Sequence, residues 1–111
     1  MCLLVYVTMP DSESGMRLAR RLVETRLAAG VHLVPSVRSV YRWRNAVREH
    51  GECLLLAQLP RTSFTEARDL IVREHPYEVP CVMAIPLIEG YGPFLQWIAA
   101  AGEEDPAPGN S

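Results

Sequence analysis

The chain of 111 residues has no block of one charge sign, and its net charge of −2 leaves no basic footprint for nucleic acid. No apolar stretch reaches the length of a membrane span. No basic flank and apolar core precede the first strand-like run, so no signal peptide is expected. Cysteine is scarce and odd in number: Cys2, Cys53 and Cys81 lie far apart, without a C-x-x-C spacing. Each sits in an apolar run, which reads as a small buried hydrophobe in a reducing, cytoplasmic compartment. No Ser/His/Asp set, Cys–His neighbour pair, phosphate loop or acid pair is visible, so no enzymatic reaction is expected.

What is present is ordinary globular material, 49% apolar and 22% charged. It suits one domain over residues 1–102. The acidic, Pro/Gly-rich residues 103–111 are expected to be a disordered tail. Residues 3–9 are short, apolar and rich in β-formers, and Pro10 ends them, which predicts a strand. Residues 14–29 carry Met16, Ala19, Val23 and Leu27 at helical spacing. Asp11 or Ser12 is the expected N-cap, and Gly30 the left-handed residue past the C-terminus. Residues 31–44 and 46–59 read as a long β-hairpin turning at Arg44-Asn45. Pro35 marks an edge or bulge in the first strand, and Gly51 a bulge in the second. A second helix is expected to open on a capping box at Ser63-Phe64-Thr65-Glu66 and to stop at His75 before Pro76. Residues 81–88 form a last strand, and residues 94–101 a short helix.

The order β-α-β-β-α-β is the α+β, ferredoxin-like arrangement, here with a long β2–β3 hairpin and a short C-terminal helix. It puts two helices on one face of an antiparallel sheet. Yet residues 3–7, 53–57 and 81–88 are apolar at consecutive positions, the pattern of strands buried on both faces. A second copy of the same chain is the simplest cover for the remaining face, and the hairpin is long enough to reach it by strand addition.

The segment His75-Pro76-Tyr77-Glu78-Val79-Pro80 joins helix to strand and holds an imidazole, a phenol and a carboxylate between two prolines. His75 and Glu78 suit Zn²⁺ or Cu²⁺ by donor type, but two ligands make a weak site. Tyr41 and Trp43 on the hairpin read as interface aromatics.

These stretches resemble the CutA family of divalent-cation tolerance proteins. Matching segments are TMPD at 8–11, RLAAG at 26–30, SVYRW at 39–43, HPYEVP at 75–80 and GYGPFLQWI at 90–98. The resemblance implies a homotrimer similar to PII signalling proteins, with Tyr41, Trp43 and Trp97 at the interface between subunits. It also implies a small-molecule cleft between subunits, for which Tyr41, Arg42, Gln58, Tyr77 and Glu78 are the candidates. It further implies a role in tolerance of copper and other divalent metals. Cu²⁺ or another divalent cation is the one cofactor considered, weakly bound, with His75 and Glu78 as its ligands. A small-molecule signalling role and a purely structural trimer are the alternatives. The chain departs from most relatives at Gly30, where they have Cys, at Gln58, where they have Lys, and at Cys81, where they have Glu. Val7 replaces a cysteine found in some copper-binding members. These changes remove soft donors and one cation.

Overall fold

Strict alternation along the two central strands separates the molecule into a covered and an uncovered side. In the computed structural model, which describes residues 1–103, β1 spans Cys2–Met9, α1 Ser12–Glu24, β2 Gly30–Trp43 and β3 Ala46–Pro60. A single 3-10 turn, Arg61–Ser63, leads into α2, Phe64–Glu74; β4, Val82–Leu87, and α3, Gly92–Ala99, complete the order. All pairings are antiparallel and the sheet order is β2-β3-β1-β4. Apart from Glu103, the tail expected at 103–111 lies outside the described residues.

Val5, Val7 and Met9 of β1 and Cys53, Leu55, Ala57 and Leu59 of β3 point to the same side. There they form the core with Leu18 and Leu22 of α1 and Leu70 and Ile71 of α2. Full burial of such a side chain is worth about 1.5–3 kcal/mol, so this layer holds the fold together. The other parity of β1, β3 and β4 lines the opposite face. Tyr6, Leu54 and Leu56 are half-buried there, and Met83 and Ile85 on the β4 edge are exposed. α3 crosses one end of this second face: the Cys2 thiol lies 3.5 Å from the Leu95 carbonyl, and Trp97 packs over Gly30.

Local chemistry explains the element ends. The Asp11 carboxylate accepts the Ser14 N–H at 2.7 Å, and this bond holds its pKa below the ordinary value. Gly15 lets α1 approach β3, since a Cβ there would lie 2.6 Å from the Cys53 sulfur. The expected end of α1 is corrected. The helix stops at Glu24, and Arg26, not Gly30, takes the left-handed position at φ 62°. The amides of Leu27 and Ala28 both bond back to the Leu22 carbonyl, closing the helix early and freeing Gly30 to begin β2.

In the hairpin, the register shifts between Val34 and Val37, at Pro35, whereas Gly51 pairs in register with Arg38 and makes no bulge. Arg44 and Asn45 turn the chain at φ 50° and 64°, as a two-residue primed turn requires. Ser63 makes no side-chain cap; the 3-10 turn takes the place of the expected capping box. Pro86 is accommodated because β4 is an edge strand.

An arginine held at positive φ is strained. Arg26→Gly should therefore raise stability, by about 0.5–1 kcal/mol once the added freedom of the unfolded glycine is subtracted. A higher urea midpoint at unchanged slope checks this; an unchanged or lower midpoint counts against the assigned helix end.

Candidate functional site

The connector between α2 and β4 folds against the base of the hairpin. Pro76 keeps His75 extended, at φ −88° and ψ 136°, and ends α2 at Glu74. That backbone turns the imidazole inward, where it is buried. Its Nε2–H donates to the Thr8 carbonyl at 2.8 Å, and Nδ1 accepts the Tyr77 amide N–H at 3.2 Å. A carbonyl only accepts and an amide N–H only donates, so these partners fix the hydrogen on Nε2 and engage the lone pair of Nδ1. His75, the candidate ligand in the rigid polar loop, makes both of these bonds within the chain.

Tyr77 lies over the ring of His75, with centroids 4.7 Å apart, and its hydroxyl donates to Glu52 at 2.7 Å. Glu52 is only 8% exposed. Burial pushes its pKa up, but hydroxyls of Ser39, Tyr77 and Thr8 outweigh that and hold the carboxyl below its ordinary 4.5. The Tyr77 phenol moves the opposite way. Its burial, the bond to Glu52 and the charge of Glu52 all raise its pKa. Glu78 stays at the surface and pairs with Arg44 at 2.6 Å, both side chains being about two-thirds exposed.

The remaining candidates are spread along the hairpin and beyond it. The Tyr41 hydroxyl lies 2.8 Å from His50 Nδ1. Arg42 is exposed and makes no ion pair among the described residues. Trp43 is half-buried with the Arg44 guanidinium 5.5 Å from its ring centre, and Trp97 stacks near Phe94 at 5.3 Å. Gln58 is buried beside Gly30 and Trp97. It stands six residues along β3 from Glu52, roughly 20 Å at strand rise. The five cleft candidates therefore do not converge within one chain: Tyr77 and Glu78 meet the hairpin, and Gln58 lies at the far end of the sheet.

Among the described residues, no group of three or more His, Cys, Asp or Glu side chains is placed to hold an ion. Sequence reasoning missed Glu52 and Thr8. The available signal was parity: Glu52 shares a face of β3 with Leu54 and Leu56, an unusual place for a carboxylate without a partner.

An antiparallel β4-β1-β3-β2 sheet with two helices on one face defines a ferredoxin-like α+β domain. The chain belongs to the CutA family: the family described as "CutA1 divalent ion tolerance protein" matches residues 3–101. A divalent-cation tolerance protein CutA of Thermus thermophilus is 39% identical over 94 residues, covering 85% of this chain and 91% of that protein. Human protein CutA is 36% identical over 98 residues, but those make up only 55% of its length, so this chain spans about half of it. The solved divalent cation tolerance protein from Thermus thermophilus superposes with a TM-score of 0.89 at 38% identity, over 91% of this chain and 98% of that one. The CutA structure from Archaeoglobus fulgidus gives a TM-score of 0.89 at 33% identity, over 93% and 100% of the two chains.

Because Glu52 has a depressed pKa, its contribution to stability is fully present above its unfolded value. It is lost as pH falls through the lower folded value. Glu52→Gln should thus be less stable than the parent protein at pH 7, and the gap should shrink at acid pH, below the ordinary carboxylate value of 4.5. Urea midpoints for both proteins at neutral and acid pH check this, and a constant gap would remove the ionised carboxylate as its cause.

Proposed function

We propose that this chain acts as a homotrimer in divalent-ion tolerance, through a non-catalytic, PII-like assembly in the cytoplasm. The observation that carries the assembly is the uncovered apolar face. Tyr6, Leu54 and Leu56 continue into Met83 and Ile85, and among the described residues α3 covers one end of this face. Apolar surface of this extent on a small domain is stabilised by contact with another molecule. A second copy supplies a matching face, and the projecting hairpin supplies a strand edge. The tolerance role rests on family membership, which names a response to divalent ions and no reaction. The cytoplasmic reading rests on three cysteines that stand free in the structure.

Cu²⁺ or another divalent cation is, in this reading, a weak ligand of the assembly and not a resident cofactor. His75 has both ring nitrogens engaged, and Glu78 pairs with Arg44 and belongs to no group of three or more possible ligands among the described residues. The small-molecule alternative is favoured by one feature, Arg42, which makes no ion pair among the described residues, next to Tyr41 on the exposed hairpin. An anion held there would have to be completed by a neighbouring subunit, since Gln58 lies too far away.

Light scattering at low micromolar concentration should give three copies per particle; a clean monomer would overturn the assembly reading. Calorimetric titration with Cu²⁺ should give weak binding by the trimer, with the particle mass unchanged. Tight, stoichiometric binding to each chain would show that a complete site exists after all.

A further inference from the structure

We propose that the connector 75–80 is a strut that sets the direction of the hairpin arm, with the Tyr77–Glu52 hydrogen bond as its working contact. The consequence for assembly rests on the trimer reading above; the strut itself does not.

The arm needs such a device. Beyond the irregularity at Pro35, residues 37–52 pair with each other and with no third strand. The β1 pairings end at Cys53, and none of the residues that build or pack against the helix-side core lies between 37 and 52. The molecule is 50 Å long but only 27 and 23 Å across. A two-stranded ribbon leaving a body at a bulge is free to bend there, since the ladder is interrupted at that point. The continuous β3 strand and the Thr8 hydroxyl at Glu52 hold the arm on one side of that joint, and a contact from the connector restrains it on the other.

The connector supplies that attachment, and it is itself anchored. Pro76 and Pro80 restrict its backbone. His75 ties it to β1 through the Thr8 carbonyl and stiffens it through the Tyr77 amide. From this fixed base the Tyr77 side chain reaches the first residue of the arm that lies past the body, Glu52. Glu52 is buried, so a lost hydroxyl would leave a charged acceptor short of a donor. Glu78 adds a second, outer contact to Arg44 at the turn. Both of its partners are exposed, so it trims the arm's position and does not fix it. The polar groups within one chain thus face the hairpin and hold it out at one angle. A preset angle lowers the conformational cost of strand addition to a neighbouring copy.

Amide hydrogen exchange on the full chain tests this, comparing the parent protein with Tyr77→Phe, Glu52→Ala and the double variant. The amides at the joint, those of Val34, Val37 and Arg38 and of residues 51–53, should exchange at least tenfold faster in Tyr77→Phe, while β1 stays within twofold of the parent. The double variant should match Glu52→Ala, because one bond is lost only once. Dissociation of the trimer on dilution should shift at least tenfold in the same variants, and less than threefold in Arg44→Ala. Joint exchange within twofold of the parent in Tyr77→Phe would overturn the strut. Equal loosening of β1 and the joint would also overturn it, by making Tyr77 a general stabiliser. A monomeric parent protein would remove the assembly reading alone, and the exchange comparison would then decide the strut on the monomer.

Discussion

Two helices cannot cover both faces of a four-stranded sheet, and this constraint shapes the rest of the molecule. α1 and α2 take one face and make a dry core of Val5, Val7, Leu22, Leu55 and Ile71. The other face keeps its apolar residues nonetheless. Its centre is half-buried by its own neighbours, and its β4 edge is open. A sequence selected only to fold as a lone domain would place polar residues at Tyr6, Leu54, Leu56, Met83 and Ile85, because antiparallel strands with one wet face alternate. Their apolar character is the feature on which the proposed assembly rests.

A second constraint is polar. Burying Glu52, Thr8 and His75 costs free energy unless every donor and acceptor is met. Here they are met by one another and by Tyr77 and Ser39, and no buried side-chain nitrogen or oxygen among the described residues lacks a partner. The network sits at the joint between body and arm. A buried apolar joint there would be stabilising but indifferent to direction. Hydrogen bonds are directional, so a polar joint specifies an angle.

The parts of this fold legible in the sequence were those encoded locally. Periods of two and 3.6 residues marked the strands and helices, Pro35 marked the irregularity, Asn45 the turn, and Pro76 the end of α2. Misread features were those decided by competition. Gly30 is the better left-handed residue, but Leu22 has a carbonyl that captures two amides early, so Arg26 takes the strain instead. Ser63 has capping chemistry, but a 3-10 turn satisfies that helix end first. The site was less legible still. Tyr77 and Glu52 are 25 residues apart, and Thr8 and His75 are 67 apart, so only the folded topology reveals that they meet.

The departures from the family pattern follow a single physical logic. Val7, which replaces a soft donor found in some members, is fully buried in the helix-side core. A thiolate there would face only apolar neighbours, so valine converts that position to packing. At Gly30 a side chain is not merely absent: a Cβ would lie 2.9 Å from the Gln58 oxygen and 3.2 Å from Trp97. The indole of α3 and the amide of β3 have taken the volume that a cysteine would occupy. Gln58, being neutral, is buried there with no counter-ion to supply. Gly30 leaves the space that both Gln58 and Trp97 occupy. Restoring one polar partner alone would crowd the indole or bury an uncompensated charge. In this chain that end of the sheet is a packed joint between α3 and the strands. On the hairpin side, by contrast, Arg42 and Glu78 remain at the surface.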